Sequence, residues 1–290
     1  MPGSLTQSGE SPNPPDGLRY RRPMRLGHFL RMAWRSRGLV ATLTERELRA
    51  RYKQAFLGAA WAFAAPLGYV VVFSLFFDRA AKIETFGVSY PVFTYAALIP
   101  WGFFAQTVSR GAMSVVDNLV LLNKVAAPRE TFVLSANTTA LIDMLVSAIA
   151  FPVVVLVSGE HFYLATLTLL PVLAVQFAFA LGLALLLSAL LVYLRDVRHL
   201  LPLLTQLLMF ATPVVWGLAA VRQRTSDGVI RLYAILNPMS SVCESYRRAL
   251  AYGRAPEWEL LGLSAATATV VLMAGYWVFK KLEPGFADVA

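Results

Sequence analysis

Cysteine is nearly absent from this chain, and so is charge. The single thiol, Cys243, excludes an intrachain disulfide framework and reads as a small apolar filler. Charged residues make up 15% of the 290, against roughly 25% in soluble domains. Histidine occurs three times, as His28, His161 and His199, each in a separate loop or helix end. There is no HExxH pair, no glycine-rich phosphate loop, no GxSxG elbow and no cysteine ligand set, so the residue clusters that embedded enzymes need are missing. Metal and cofactor sites are not expected in this chain.

Long uncharged runs take up the space that charge leaves. They cover 57 to 77, 85 to 109, 144 to 159, 162 to 194, 200 to 221 and 260 to 279 in a chain that is 57% hydrophobic. A bilayer-spanning helix needs about 20 such residues. An all-α integral membrane protein with six transmembrane helices follows. The first long apolar run begins only near Leu57, too late for a secretory signal peptide. Residues 1 to 22, rich in Pro, Ser and Gly, read as a disordered cytoplasmic leader. Residues 23 to 56 read as amphipathic interfacial and cytoplasmic helices, 57 to 279 as the transmembrane domain and 280 to 290 as a cytoplasmic tail.

In "LGHFLRMAWRSR", residues 26 to 37, apolar side chains fall at helical spacing among Arg31, Arg35 and Arg37. A helix lying in the interface, its arginines toward lipid headgroups, fits that pattern, as does an amphipathic helix packed on its own protein. Eleven of the 26 Lys and Arg precede Leu57, and anionic lipid explains this excess without nucleic acid. With both termini inside, seventeen Lys and Arg fall in cytoplasmic segments and eight in outer ones. The outer excess is concentrated in Arg222, Arg224, Arg231, Arg247, Arg248 and Arg254, which raises the question of what acids they meet. That same stretch, around Asn237 and Pro238, predicts two short re-entrant helices before the last span.

Asp143 is an isolated carboxylate inside the third span, expected at 132 to 157. It suits a helix-to-helix polar contact, a water path or a proton relay. Scattered glycines, Gly182 among them, suit close helix packing. Pro171 predicts a bend or an interfacial entry in the long run from 162 to 194, before a full span from about 172, and the fifth span is expected at 200 to 219. Aromatic residues concentrate in the first two spans, where Trp61, Tyr69, Phe73, Tyr95, Trp101 and Phe104 are candidates to line a route for sugar rings or, alternatively, to form belts and core.

Four stretches carry a resemblance: "RELRARYKQAFLGAAWAFAAP" at 46 to 66, "LLNKVAAPRETF" at 121 to 132, "YLRDVRHLLP" at 193 to 202 and "LNPMS" at 236 to 240. In this order the chain resembles the polysaccharide exporter branch of the ABC-2 permeases over about 40 to 285. The resemblance implies a homodimeric permease in the bacterial inner membrane, driven by two copies of an ABC nucleotide-binding subunit that holds the ATP and Mg. It implies a polyprenyl-pyrophosphate-linked glycan, such as O-antigen, as cargo. Arg31, Arg35 and Arg37 would then sit beside the cytoplasmic entrance, where a guanidinium fork matches pyrophosphate oxygens. Residues 117 to 131 would form the coupling segment, with Lys124, Arg129 and Glu130 at its polar surface and Pro128 setting the bend. Ala127 departs from the pattern, which more often has an aromatic there.

Overall fold

The computed structural model describes residues 26–52, 61–78, 84–122, 128–194 and 196–287, and among them every regular element is helical. The helices are α1 (Leu26–Arg35), α2 (Arg37–Tyr52), α3 (Trp61–Phe73, extended by a π-helical turn Ser74–Asp78), α4 (Tyr90–Met113), α5 (Leu119–Leu122), α6 (Glu130–Ala148), α7 (Phe151–Val157), α8 (Leu169–Tyr193), α9 (Val197–Ala211), α10 (Leu218–Arg222), α11 (Asp227–Leu236), α12 (Pro238–Leu250) and α13 (Trp258–Leu282). Three described helical stretches are long and apolar enough to cross a membrane: Glu130–Val157, Ala165–Tyr193 and Trp258–Phe286. Pro66–Phe77 and Val197–Ala211 are shorter apolar helices. The molecule is an all-α, multi-pass integral membrane protein.

Helix α8 is the centre of the bundle, packed on α13 and on α4. Two small residues bring its backbone against α13. A Cβ at Gly182 would lie 2.6 Å from the backbone of Leu272, and one at Gly275 would strike the Gly182 carbonyl. Glycine here lets two helix backbones touch, which gives van der Waals contact that larger side chains would block. On the other face of α8, a Cβ at Gly111 of α4 would lie 2.7 Å from Ala184.

Proline placement explains where the elements differ from expectation. Pro171 lies in the first turn of α8, where a missing N–H is harmless, so of its two expected roles it takes the entry to the span and not the bend. The change of direction is taken by a 3-10 turn at Leu164–Thr168. The third span breaks between Ala148 and Phe151, with Pro152 in the first turn of α7. Pro213 pushes Thr212 into extended backbone (φ −104°, ψ 145°), which ends α9 at Ala211, eight residues short of the expected end. The carbonyl of Ala211 then accepts the Tyr233 hydroxyl at 2.5 Å, and Asn237 donates its amide to Thr212 Oγ1 at 2.9 Å. Before the last span there are three short helices, α10 to α12, where two were expected, and α11 meets α12 at Asn237 and Pro238.

The bundle has two chemically distinct ends. One, here called proximal, holds α1, the start of α6 and the end of α13, joined in a cluster with Met32, Val115, Val133, Phe279 and Phe286. The distal end holds α10, α11 and the start of α13, with Leu218, Ile230, Ala234 and Leu260 packed together. Apolar side chains that face outward, such as Val71 and Val72 on α3, Phe76 on its π-helical turn, and Leu203, Leu204 and Leu207 on α9, are what a lipid-facing or subunit-facing surface requires.

Candidate functional site

Helix α2 is polar, yet it runs alongside the apolar α6 in parallel, held by a ladder of polar contacts. Thr44 donates to the Ser135 carbonyl at 3.4 Å, Thr139 donates to Glu47 Oε2 at 3.3 Å, and Arg51 reaches Asp143. The rungs advance by three or four residues on each helix, so one face of α2 meets one face of α6. Asp143 lies thirteen residues into α6, about 20 Å from its start at 1.5 Å per residue. The carboxylate is buried, 4% exposed, and both oxygens are engaged: Oδ2 accepts from Arg51, and Oδ1 accepts from the Tyr52 hydroxyl at 2.6 Å. A charge at that depth requires a partner, and α2 supplies it.

Arg51 is shared. Its Nη2 lies 3.3 Å from Glu47 Oε1, and its Nη1 donates to Gln106 Oε1 at 3.4 Å. Arg110 of α4 approaches the same Glu47 oxygen at 3.8 Å. Two guanidinium groups and two carboxylates form a cluster that is balanced in charge, and it borders a cavity of about 460 Å³. Arg51, Tyr52, Gln106, Arg110 and Asp143 line one part of it. Tyr69, Trp101, Phe103, Leu98, Met144 and Met209 are among the residues that line the rest.

The sequence-derived candidates are scattered around this centre. Tyr69 is half-exposed and, like Trp101, borders the cavity. Phe73, Tyr95 and Phe104 are buried in the core. Tyr95 donates to the Ser147 carbonyl at 2.9 Å and stacks on Phe151, while Phe104 lies parallel to Phe179 at 5.6 Å. The Trp61 side chain and all of Lys124 lie outside the described residues. Arg31, Arg35 and Arg37 are exposed on or beside α1, away from the cavity, and Arg37 stacks 4.7 Å over the exposed Trp34 ring. The buried Met32 turns one side of α1 onto the protein.

Glu130 is not at the surface. It is 2% exposed and accepts from Lys280 Nζ of α13 at 2.8 Å, and Lys280 also pairs with Glu283. Arg129 donates to the Glu283 carbonyl and lies 5.6 Å over the Phe286 ring. Pro128 accepts the Thr131 hydroxyl at 2.6 Å. The segment leading into α6 is thereby tied to the end of α13.

Four of the six distal arginines, Arg222, Arg231, Arg247 and Arg248, meet acids of their own chain. Glu257 takes a two-pronged contact from Arg222, at 2.7 and 3.1 Å, and a third from Arg248 at 2.8 Å. The hydrogen bond from Arg222 holds the Glu257 carboxyl below its ordinary range, its charge and that of Arg248 add to the effect, and partial burial opposes it. Arg231 pairs with Glu259 at 2.7 Å. Arg247 is completely buried. It donates to Glu244 at 2.7 Å, to the carbonyls of Pro213, Val214 and Phe93 at 2.9, 3.0 and 3.3 Å, and its guanidinium carbon lies 3.9 Å from the Phe93 ring centroid. No group of three or more metal-ligating side chains is found among the described residues.

Sequence reasoning flagged Asp143 but missed Arg51, Tyr52, Gln106 and Arg110. The one available signal was the polar "RELRARY" entering an apolar span.

A polar helix laid against an apolar bundle, with paired charges beside a half-open cavity, is the centre of a helical membrane protein. The chain belongs to the ABC-2 type transporter family, which matches residues 38–250, and within it is a permease subunit without catalytic machinery of its own. It is 31% identical to the O-antigen export system permease protein RfbA of Myxococcus xanthus, over 90% of this chain and 98% of that one. A Klebsiella pneumoniae protein of the same description is 24% identical over 87% of this chain and 94% of its own. The polysialic acid transport protein KpsM of Escherichia coli is 24% identical over 84% and 93%.

Proposed function

We propose that this chain is the membrane-spanning subunit of an ATP-driven exporter that moves polyprenyl-pyrophosphate-linked polysaccharide, such as O-antigen, from the cytoplasm to the outer face of the inner membrane. The observation that carries this reading is the end-to-end similarity to the O-antigen export permease of Myxococcus xanthus. The cavity agrees with it, because aromatic rings beside hydrogen-bonding groups suit a glycan.

In this reading two copies of the permease pair with two copies of a nucleotide-binding subunit, and the proximal end faces the cytoplasm. Six passes, α3, α4, α6 with α7, α8, α9 and α13, then leave both termini inside, and the lysine and arginine excess supports that orientation. Arg31, Arg35 and Arg37, exposed on the proximal side, are suited to anionic lipid and to the pyrophosphate of an arriving substrate. Tyr69 and Trp101 face the route of the glycan, with Trp61 a further candidate, while Phe73, Tyr95 and Phe104 pack in the core behind it. Lys124 contacts the nucleotide-binding subunit. Pro128, Arg129 and Glu130 carry the motion onward, the latter two through their ties to α13 and the turn after it.

The test is a deletion of the gene with complementation by the full chain, read as surface polysaccharide. Loss with intracellular accumulation of lipid-linked glycan, and recovery on complementation, is expected. Unchanged surface polysaccharide would overturn the reading.

A further inference from the structure

The cavity beside Asp143 is charged at one end and apolar at the other. We infer that it holds a membrane phospholipid with a zwitterionic headgroup ending in a primary ammonium, of the ethanolamine type, with an acyl chain lying toward the middle of the bundle. The lipid is the occupant at rest, and a glycan passing Tyr69 and Trp101 must displace it. The site itself stands on the membrane fold and not on the identity of the cargo.

The polarity is graded along the bundle. Helix α4 runs from the distal end to Met113, next to Val115 of the proximal cluster. Its cavity-lining residues therefore fall in order of depth, with Arg110 and Gln106 on the proximal side and Gly102, Ile99 and Leu98 further in. Arg110 and Leu98 are separated by about 18 Å of helix at 1.5 Å per residue. On α6, which runs the other way, Asp143 lies on the proximal side of Met144. A lipid of the proximal leaflet has the same order, its head at the surface and its chain toward the centre. At about 460 Å³ the space takes a headgroup with part of a chain, and the remainder stays in the bilayer.

Charge selects the headgroup. Arg51 and Arg110 are matched by Glu47 and Asp143, so the cluster has no net charge to offer a pyrophosphate or a purely anionic lipid. One pair in it is loose: Arg110 and Glu47 stand 3.8 Å apart, with their side chains 47% and 30% exposed. A phosphodiester and an ammonium on one short linker carry the same two charges in the opposite sense. Set against this pair, the phosphate accepts from Arg110 and from the Gln106 amide nitrogen, which makes no hydrogen bond among the described residues. The ammonium donates to Glu47. A long, half-hydrated contact is thereby exchanged for charge-assisted hydrogen bonds. A choline head satisfies only half of this arrangement, because a quaternary ammonium has no N–H to donate. Met144 and Met209 adapt the inner wall to a flexible chain.

The test is native mass spectrometry of the full-length permease released from nanodiscs of equal parts phosphatidylethanolamine, phosphatidylglycerol and phosphatidylcholine. Phosphatidylethanolamine should stay bound about tenfold over either competitor, the worth of one charge-assisted hydrogen bond. Gly102 lines the cavity and a Cβ there meets nothing within 4 Å, so Gly102→Leu fills the space without a backbone clash and should abolish retention. Glu47→Gln should keep the lipid and erase the preference. Thermal unfolding in the same nanodiscs reports whether each variant is folded, and Glu47→Gln keeps the test decisive if Gly102→Leu is not. Polyprenyl pyrophosphate without a glycan, added in equal amount, should displace nothing. No retained lipid, equal retention of the three lipids, full retention in folded Gly102→Leu, or displacement by polyprenyl pyrophosphate would overturn the site, the last in favour of the cargo's own lipid. Gene deletion answers the separate question of export: intact surface polysaccharide would end that reading and leave a lipid site found in this way standing.

Discussion

Arg247 and Arg51 are the same residue used in opposite ways. Arg247 is sealed in protein, and its donors go to one carboxylate and three carbonyls, two of them released where α9 ends at Pro213. Nothing is left over for a ligand. Arg51 is one-fifth exposed, shares two carboxylates with other donors and keeps Nε unmatched beside a cavity. The first arrangement ties down an irregular turn; the second links α2 to α6 and α4 beside a cavity. Burial and partner count, and not charge, separate the two.

The sharpest way to break this contrast is to remove each side chain and compare the losses. Arg247→Ala leaves Glu244 and several carbonyls without their donor, and about 3–5 kcal/mol of stability should be lost. Arg247→Lys should recover only part, because a point charge cannot replace a planar fork. Thermal unfolding of the full-length protein in nanodiscs is the measurement. Arg51→Ala should cost less, about 1–3 kcal/mol, since Tyr52 still serves Asp143 and cavity water can reach the vacated oxygen. Equal losses at the two sites would erase the distinction.

Smaller changes sharpen it. Glu244→Gln keeps an acceptor for Arg247 and for the Leu218 N–H, and should cost about 1 kcal/mol. The smallest effect is the distal clamp on Glu257. Its folded carboxyl titrates below the ordinary value, so the stabilisation is complete above the ordinary carboxylate range and is lost as pH falls through the lowered value. Between about pH 5 and 7 nothing should change, and below about pH 4 the amides of α10 should exchange faster by an amount worth less than about 1 kcal/mol. Glu257→Gln should flatten that pH dependence, as read by hydrogen exchange.

Much of this molecule was legible in its letters, and the limits have physical causes. Uncharged runs located the apolar helices because a bilayer imposes length and hydropathy directly. Proline is harder to read: Pro171 suits a bend and a span entry alike, since a first-turn proline and a kinking proline look the same until the helix start is known, and it stands at the entry. Asp143 stood out as an isolated acid in an apolar helix, but its partners lie 92 and 91 residues earlier in the chain, and no local pattern carries such a pairing. The distal arginines looked short of acids because Glu257 and Glu259 lie at the start of the last helix, just where the expected loop gave way to the span. Glu130 looked like surface for the same reason: Lys280, which buries it, comes 150 residues later.

The backbone contact between Gly182 and Gly275 has a mechanical consequence. Helices that touch at the main chain have no side-chain layer to rearrange between them at that point, so any relative movement there must displace backbone. Glu130 and Arg129 tie the entry to α6 to the far end of α13, which makes that entry, α13 and α8 one connected path.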